Sequence, residues 1–73
     1  MKLRAILARN LRVLRKQKGL TQEELAHQAG INRNYVGQIE REEKSPTVDI
    51  VEKLANSLAV KAEDLFVKHI GRK

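Results

Sequence analysis

Apolar residues recur at helical spacing from the start of the chain. Leu3, Leu7, Leu11 and Leu14 follow one another at intervals of four, four and three, the period at which side chains line one face of an α-helix. This predicts a helix over 3–17, with Gly19 placed to close it, since glycine takes a left-handed C-terminal cap at no steric cost. Thr21 and Glu24 are spaced as a capping box and predict a second helix running to about Ala29,. Gly30 permits the sharp stop that follows. Asn32 is a favoured N-cap and predicts a third helix to about Glu40, with Val36 and Ile39 turned inward,. Residues 41–46 are read as a charged loop. Thr47 caps a fourth helix, with Asp49 in the first turn where the helix dipole favours an anion, and Ile50, Leu54 and Leu58 repeat every four residues. A short last helix is predicted over 62–67, although Lys61 stands where a capping Ser or Asp would be expected. The tail, about 68–73, is expected to fray. No stretch alternates as a strand does and nothing repeats. The expectation is one compact, all-α domain of five short helices over residues 1–73.

One feature of this pattern has no explanation in packing. The third helix opens with Asn32, Arg33, Asn34 and Tyr35, residues that a core does not need. Composition suggests what does. Fifteen basic residues against nine acidic ones give a net charge of +6, and a basic domain invites a polyanion, nucleic acid first. The charge is uneven: residues 1–18 hold Lys2, Arg4, Arg9, Arg12, Arg15, Lys16 and Lys18 and no acid. The chain has no cysteine, so neither a disulfide nor a thiolate metal site is available, which fits a reducing cytosol. No apolar run approaches membrane-spanning length, and no signal-peptide core follows the charged N-terminus.

The second and third predicted helices are joined by about three residues around Gly30, so they must cross steeply, as in a helix-turn-helix. Ala26 offers the small side chain that such a crossing requires. Taken with "LRVLRKQKGLTQEELA", "QAGIN" and "SPTVDIVEKLANSLAV", this arrangement closely resembles the Cro/phage-repressor helix-turn-helix family, also called the xenobiotic-response-element family. The likeness runs from about Leu7 to Phe66, with the helix-turn-helix at about 21–40.

The resemblance implies a regulator of transcription that binds double-stranded DNA as a homodimer on an inverted repeat, with the third helix in the major groove. A groove about 12 Å wide admits one helix, so the reading residues must share one exposed stripe. Arg33, Asn34 and Gln38 lie opposite or beside the buried stripe of Val36 and Ile39. Arginine can donate twice to guanine, while asparagine and glutamine pair with adenine. By resemblance Gln22 stands beside this stripe, bonding a phosphate and steadying a recognition side chain, and Tyr35 lies near the DNA backbone. Thr21, Asn32, Arg41, Lys44 and Ser45 complete the backbone candidates; Glu42 and Glu43 in the same loop would repel phosphate and are expected to face away. Arg15 and Glu40 occupy the places where the family pairs two residues in a partly buried ion pair. Phe66, Val67 and Ile70 are the dimer candidates, with Leu65 assigned to the monomer core. The "NRNYVGQIER" segment on so short a chain is also similar to the controller proteins of restriction–modification systems, which regulate their own operon. Glu23 and Glu24 could present an acidic face to RNA polymerase, though capping and solubility are the preferred reading of both.

Other classes fare worse. His27 stands within a helical turn of Glu23 and Glu24, but no third ligand has a sensible spacing, so His27 is read as a surface residue, as is His69. No phosphate-cradling loop or nucleophile–base pair is present, and no enzyme, metal, cofactor or small-molecule effector is expected. A protein-docking subunit of antitoxin type is the competing reading, and Arg-Asn-Gln on the exposed stripe, in place of acids, favours DNA.

Overall fold

The computed structural model describes residues 2–68, within which four α-helices follow one another: α1 (Leu3–Gln17), α2 (Gln22–Ala29), α3 (Arg33–Glu40) and α4 (Val48–Leu58). A single 3-10 turn over Ala62–Phe66 follows them. Ile70, His69 and the tail beyond Lys68 lie outside these residues. No strand occurs among the described residues.

The helix ends follow from local chemistry. Thr21 and Glu24 close a reciprocal capping box: Glu24 N–H donates to Thr21 Oγ1 at 3.0 Å, and Thr21 N–H donates to Glu24 Oε1 at 2.8 Å. Asn32 Oδ1 accepts from the Asn34 N–H, and Thr47 Oγ1 from that of Ile50. Gly19 and Gly30 both adopt the left-handed region, φ 70° and 71°. Each is followed by an amide that reaches back to a carbonyl five residues earlier, Leu20 to Arg15 and Ile31 to Ala26, the 6→1 bond of a Schellman ending.

Two further left-handed endings fall on residues other than glycine. Ala59 (φ 58°) ends α4, and Glu42 (φ 62°) lies just past α3. In both, the next amide makes the same reach, Val60 to Ala55 and Glu43 to Gln38. A side chain at such a φ costs roughly 1–2 kcal/mol, which the hydrogen bonds and packing around each ending must offset.

The core gathers Leu7, Leu11 and Leu14 of α1, Leu25 and Ala26 of α2, Val36 and Ile39 of α3, and Val51, Leu54, Ala55 and Leu58 of α4. Leu65 of the 3-10 turn closes it from below. Leu3 continues the α1 stripe but is 64% exposed, at the open first turn of the helix.

The expected fifth helix is shorter and tighter than its pattern suggested. Asp64 rather than Lys61 does the capping, its carboxylate accepting from the Lys61 N–H at 3.1 Å. The carbonyls that would propagate a helix are taken by a side chain: Asn10 Nδ2 donates to Leu65 O at 2.9 Å and to Val67 O at 2.6 Å. Asn10 is fully buried, and this one amide ties the C-terminal segment to the middle of α1. Replacing Asn10 by Ala leaves two carbonyls short of their donor and should cost about 2–3 kcal/mol in urea unfolding. Ala59→Gly should do the reverse, raising stability by about 0.5–1 kcal/mol in the same assay, because it relieves the left-handed strain.

Candidate nucleic-acid interface

On α3 the buried side is made by Val36, Gly37, Ile39 and Glu40. Arg33 and Asn34 are exposed, and Tyr35 and Gln38 are half-buried. The helical repeat places Asn34 and Gln38 in one row, and Arg33 and Gly37 in a row beside it. Asn34 and Gln38, with Arg33 beside them, form the outer face of α3, while Gly37 lies buried under side chains from neighbouring segments.

The inner face is held by a charge. Glu40 is buried, with 2% of its side chain exposed, and three groups from two other helices converge on it. Arg15 of α1 makes a two-pronged contact, Nε to Oε2 at 2.7 Å and Nη2 to Oε1 at 3.0 Å. Gln22 of α2 donates from Nε2 to Oε1 at 3.0 Å. Arg12 of α1 donates to the Glu40 backbone carbonyl at 3.0 Å. Arg15 also donates to the Leu20 carbonyl at 2.8 Å, fixing the turn between α1 and α2. A fork of this kind supplies direction as well as attraction. Among the described residues no buried side-chain nitrogen or oxygen lacks a partner.

The exposed cations are partly engaged by neighbouring acids. Arg33 Nη1 lies 3.3 Å from Glu23 Oε2, with both side chains 69% exposed, a geometry that contributes little to stability in water. Arg41 bonds Glu43 through Nε at 2.9 Å and Nη2 at 3.2 Å. Those hydrogen bonds hold the Glu43 carboxyl below the ordinary carboxylate range and raise the Arg41 guanidinium. Glu43 thus does not turn away from the basic side of the loop, because the left-handed Glu42 folds the chain back and sets Glu43 against Arg41. Glu24 is held in the capping box.

Lys44 Nζ stands over the Tyr35 ring, 5.6 Å from its centre, a cation–π distance. Tyr35 packs on the edge of the core. Ser45 is drawn elsewhere: its Oγ accepts from Arg4 Nε at 2.7 Å, at a small apolar groove lined by Leu3, Leu7, Pro46, Val51 and Phe66. Thr21 and Asn32 both spend a side-chain oxygen on capping, which leaves the Thr21 hydroxyl hydrogen and the Asn32 amide N–H groups as donors. Phe66 packs on the core edge and Val67 is exposed. His27 is exposed on the cleft shared by Glu23 and Arg33.

Sequence reasoning missed two contributors. Arg12 lies one turn before Arg15 and so shares its face, a detectable signal. Asn10 falls between Leu7 and Leu14 on an apolar stripe, where an uncharged polar residue marks a buried hydrogen bond. Gly37, by contrast, stands out in the sequence as a glycine inside a helix that could permit a close approach; the structure shows the Arg41 and Gln22 side chains lying over it.

A family model described as helix-turn-helix (HTH_3) matches residues 11–65. A hypothetical transcription factor of Neisseria meningitidis serogroup B is 45% identical over 65 residues, which cover 89% of this chain and 61% of that protein. The control protein C.SmaI of Serratia marcescens is 35% identical over 68 residues, 93% of this chain and 81% of its own length. The crystal structure of the restriction–modification controller protein C.AhdI from Aeromonas hydrophila superposes with a TM-score of 0.83 at 38% identity, covering 86% of this chain and 96% of that one.

Removing the carboxylate that joins three helices should be severe. Glu40→Ala leaves Arg15 and Gln22 without their acceptor and is expected to lower stability by about 3–5 kcal/mol in chemical denaturation. A loss below about 1 kcal/mol would show that the buried pair does not hold α3.

Proposed function

The chain belongs to the helix-turn-helix family of DNA-binding transcription regulators, and on that premise we propose that it reads a specific inverted repeat as a homodimer. In this reading α3 lies in the major groove, where Arg33, Asn34 and Gln38 meet base edges. The observation that carries it is the division of α3 into an outer face of polar rows and an inner face locked through Glu40. A helix so held presents its side chains in a fixed register, which base discrimination requires.

Thr21, Asn32, Tyr35, Arg41 and Lys44 take the phosphates on either side and set the register without reading sequence. Ser45 joins them at the far end of the loop once its hydroxyl turns from Arg4. Gln22 stands between the two classes, anchored to Glu40 and reaching the edge of α3. The dimer forms through the C-terminal segment, with Phe66, Val67 and Ile70, and places two recognition helices about 34–36 Å apart. The domain works in the cytoplasm, regulating its own gene as a repressor or a restriction–modification controller. Any contact with RNA polymerase falls to Glu23, since Glu24 is committed to its cap.

Selection from a random duplex library, followed by a salt titration, tests this reading. An enriched inverted repeat with half-sites one turn apart is the expected result. Weak binding that vanishes with salt and favours no sequence would overturn it. On the enriched duplex, Arg33→Ala should cost about 1–3 kcal/mol and relax the preference at one base position. Lys44→Ala should weaken binding to all duplexes alike and lower the salt slope by about 0.9 per protomer. Equal, sequence-blind losses for both variants would contradict the division between reading and positioning.

A further inference from the structure

Gly37 sits in the interior of α3, where glycine is among the poorest residues. Its backbone does not require glycine: the left-handed glycines are Gly19 and Gly30. The space above it is what matters. A Cβ at this position would lie 3.0 Å from Arg41 Nη1 and 3.2 Å from Gln22 Oε1. The Arg41 guanidinium therefore folds back one turn and lies across α3 beside the Gln22 amide, on a floor that exists because residue 37 has no side chain.

The two neighbours differ in freedom. Gln22 is pinned, its Nε2 donating to the buried carboxylate of Glu40. A carboxylate only accepts, so the Gln22 oxygen must face outward, toward Gly37. Arg41 is more than half exposed, and among the described residues its hydrogen-bonding partner is Glu43. That pairing uses Nε and Nη2. Both N–H groups of Nη1, the atom nearest Gly37, are left without an acceptor among the described residues.

We infer that Gly37 is a positioning residue for the DNA interface: its missing side chain seats Arg41 over α3, so that Nη1 meets a backbone phosphate at the rim of the groove. The inference rests on the DNA-binding reading and deepens it. Glu43 holds one edge of the guanidinium while the other faces the phosphate, so the arginine arrives with its orientation already set. A methyl group at residue 37 meets the anchored Gln22 and the flexible Arg41, and Arg41 is the one that gives way.

The test is Gly37→Ala, Arg41→Ala and the double variant in the full chain, on the duplex enriched by selection. Gly37→Ala should unfold at the same temperature as the parent or up to about 8 °C higher, since alanine favours the helix. Its affinity should nevertheless fall roughly fivefold, and the slope of log affinity against log salt should drop by up to about 0.9 per protomer. Arg41→Ala should fall at least as far, and adding Gly37→Ala to it should cost nothing more, the signature of two residues acting through one contact. A Gly37→Ala protein that binds as the parent does, is markedly less stable, or loses affinity additively with Arg41→Ala would overturn the inference while leaving the DNA-binding reading intact. A parent chain that enriches no duplex would overturn both.

Discussion

One buried carboxylate decides the geometry of this protein. Glu40 ends α3 inside the core, where an unpaired charge would be untenable, and its oxygens are satisfied by Arg15 from α1 and Gln22 from α2. The consequence is directional. Hydrophobic contact at Val36 and Ile39 would keep α3 against the core but would tolerate a rotation or slide of part of a turn. A two-pronged arginine contact does not, so the outer rows of α3 are fixed relative to α1 and α2. A buried pair of this kind adds little net stability over a well-packed apolar pair. Its value is that one orientation of α3 satisfies every polar group and its neighbours in rotation do not.

The surface charges follow a different logic. Four of the arginines are engaged by acids: Arg33 faces Glu23, Arg41 faces Glu43, and Arg12 and Arg15 are turned to Glu40. The exposed pairs are weak in water and exchange readily. They hold long side chains near useful orientations and moderate the attraction that a polyanion exerts on any sequence. The inward cations are spent on the scaffold, and the outward ones are lightly held.

The element boundaries were legible because their causes are local. Thr21 with Glu24, Asn32, Thr47, Gly19 and Gly30 each settle a helix end through atoms a few residues away, and the structure places those ends where the pattern does. The left-handed Ala59 and Glu42 were not legible, since neither residue type announces that conformation. Nor was the 3-10 turn, where Asn10 claims the Leu65 carbonyl within it and the Val67 carbonyl just past it, from 55 and 57 residues away. At the site, the outer row of Arg33, Asn34 and Gln38 could be read from helical period. The pairing of Arg15 with Glu40 came only through family resemblance, and the pairing of Glu43 with Arg41 depends on the left-handed turn at Glu42, which the sequence does not announce. Long-range contacts and turn-dependent side-chain directions are what a linear pattern does not carry.

Asn10 has a mechanical meaning beyond its hydrogen bonds. It grips the segment containing Phe66 and Val67 at the middle of α1, and Arg15, five residues further along the same helix, grips α3. Five residues of α-helix span only about 7.5 Å of one of the stiffest elements a chain can make. The proposed dimer, if joined at that segment, would therefore link its two reading heads through short rigid struts. Such a protein would be intolerant of a base pair inserted between half-sites, because each added pair both lengthens the gap and rotates one half-site around the duplex axis. The spacer of its operator would be under as strict a constraint as the bases it touches.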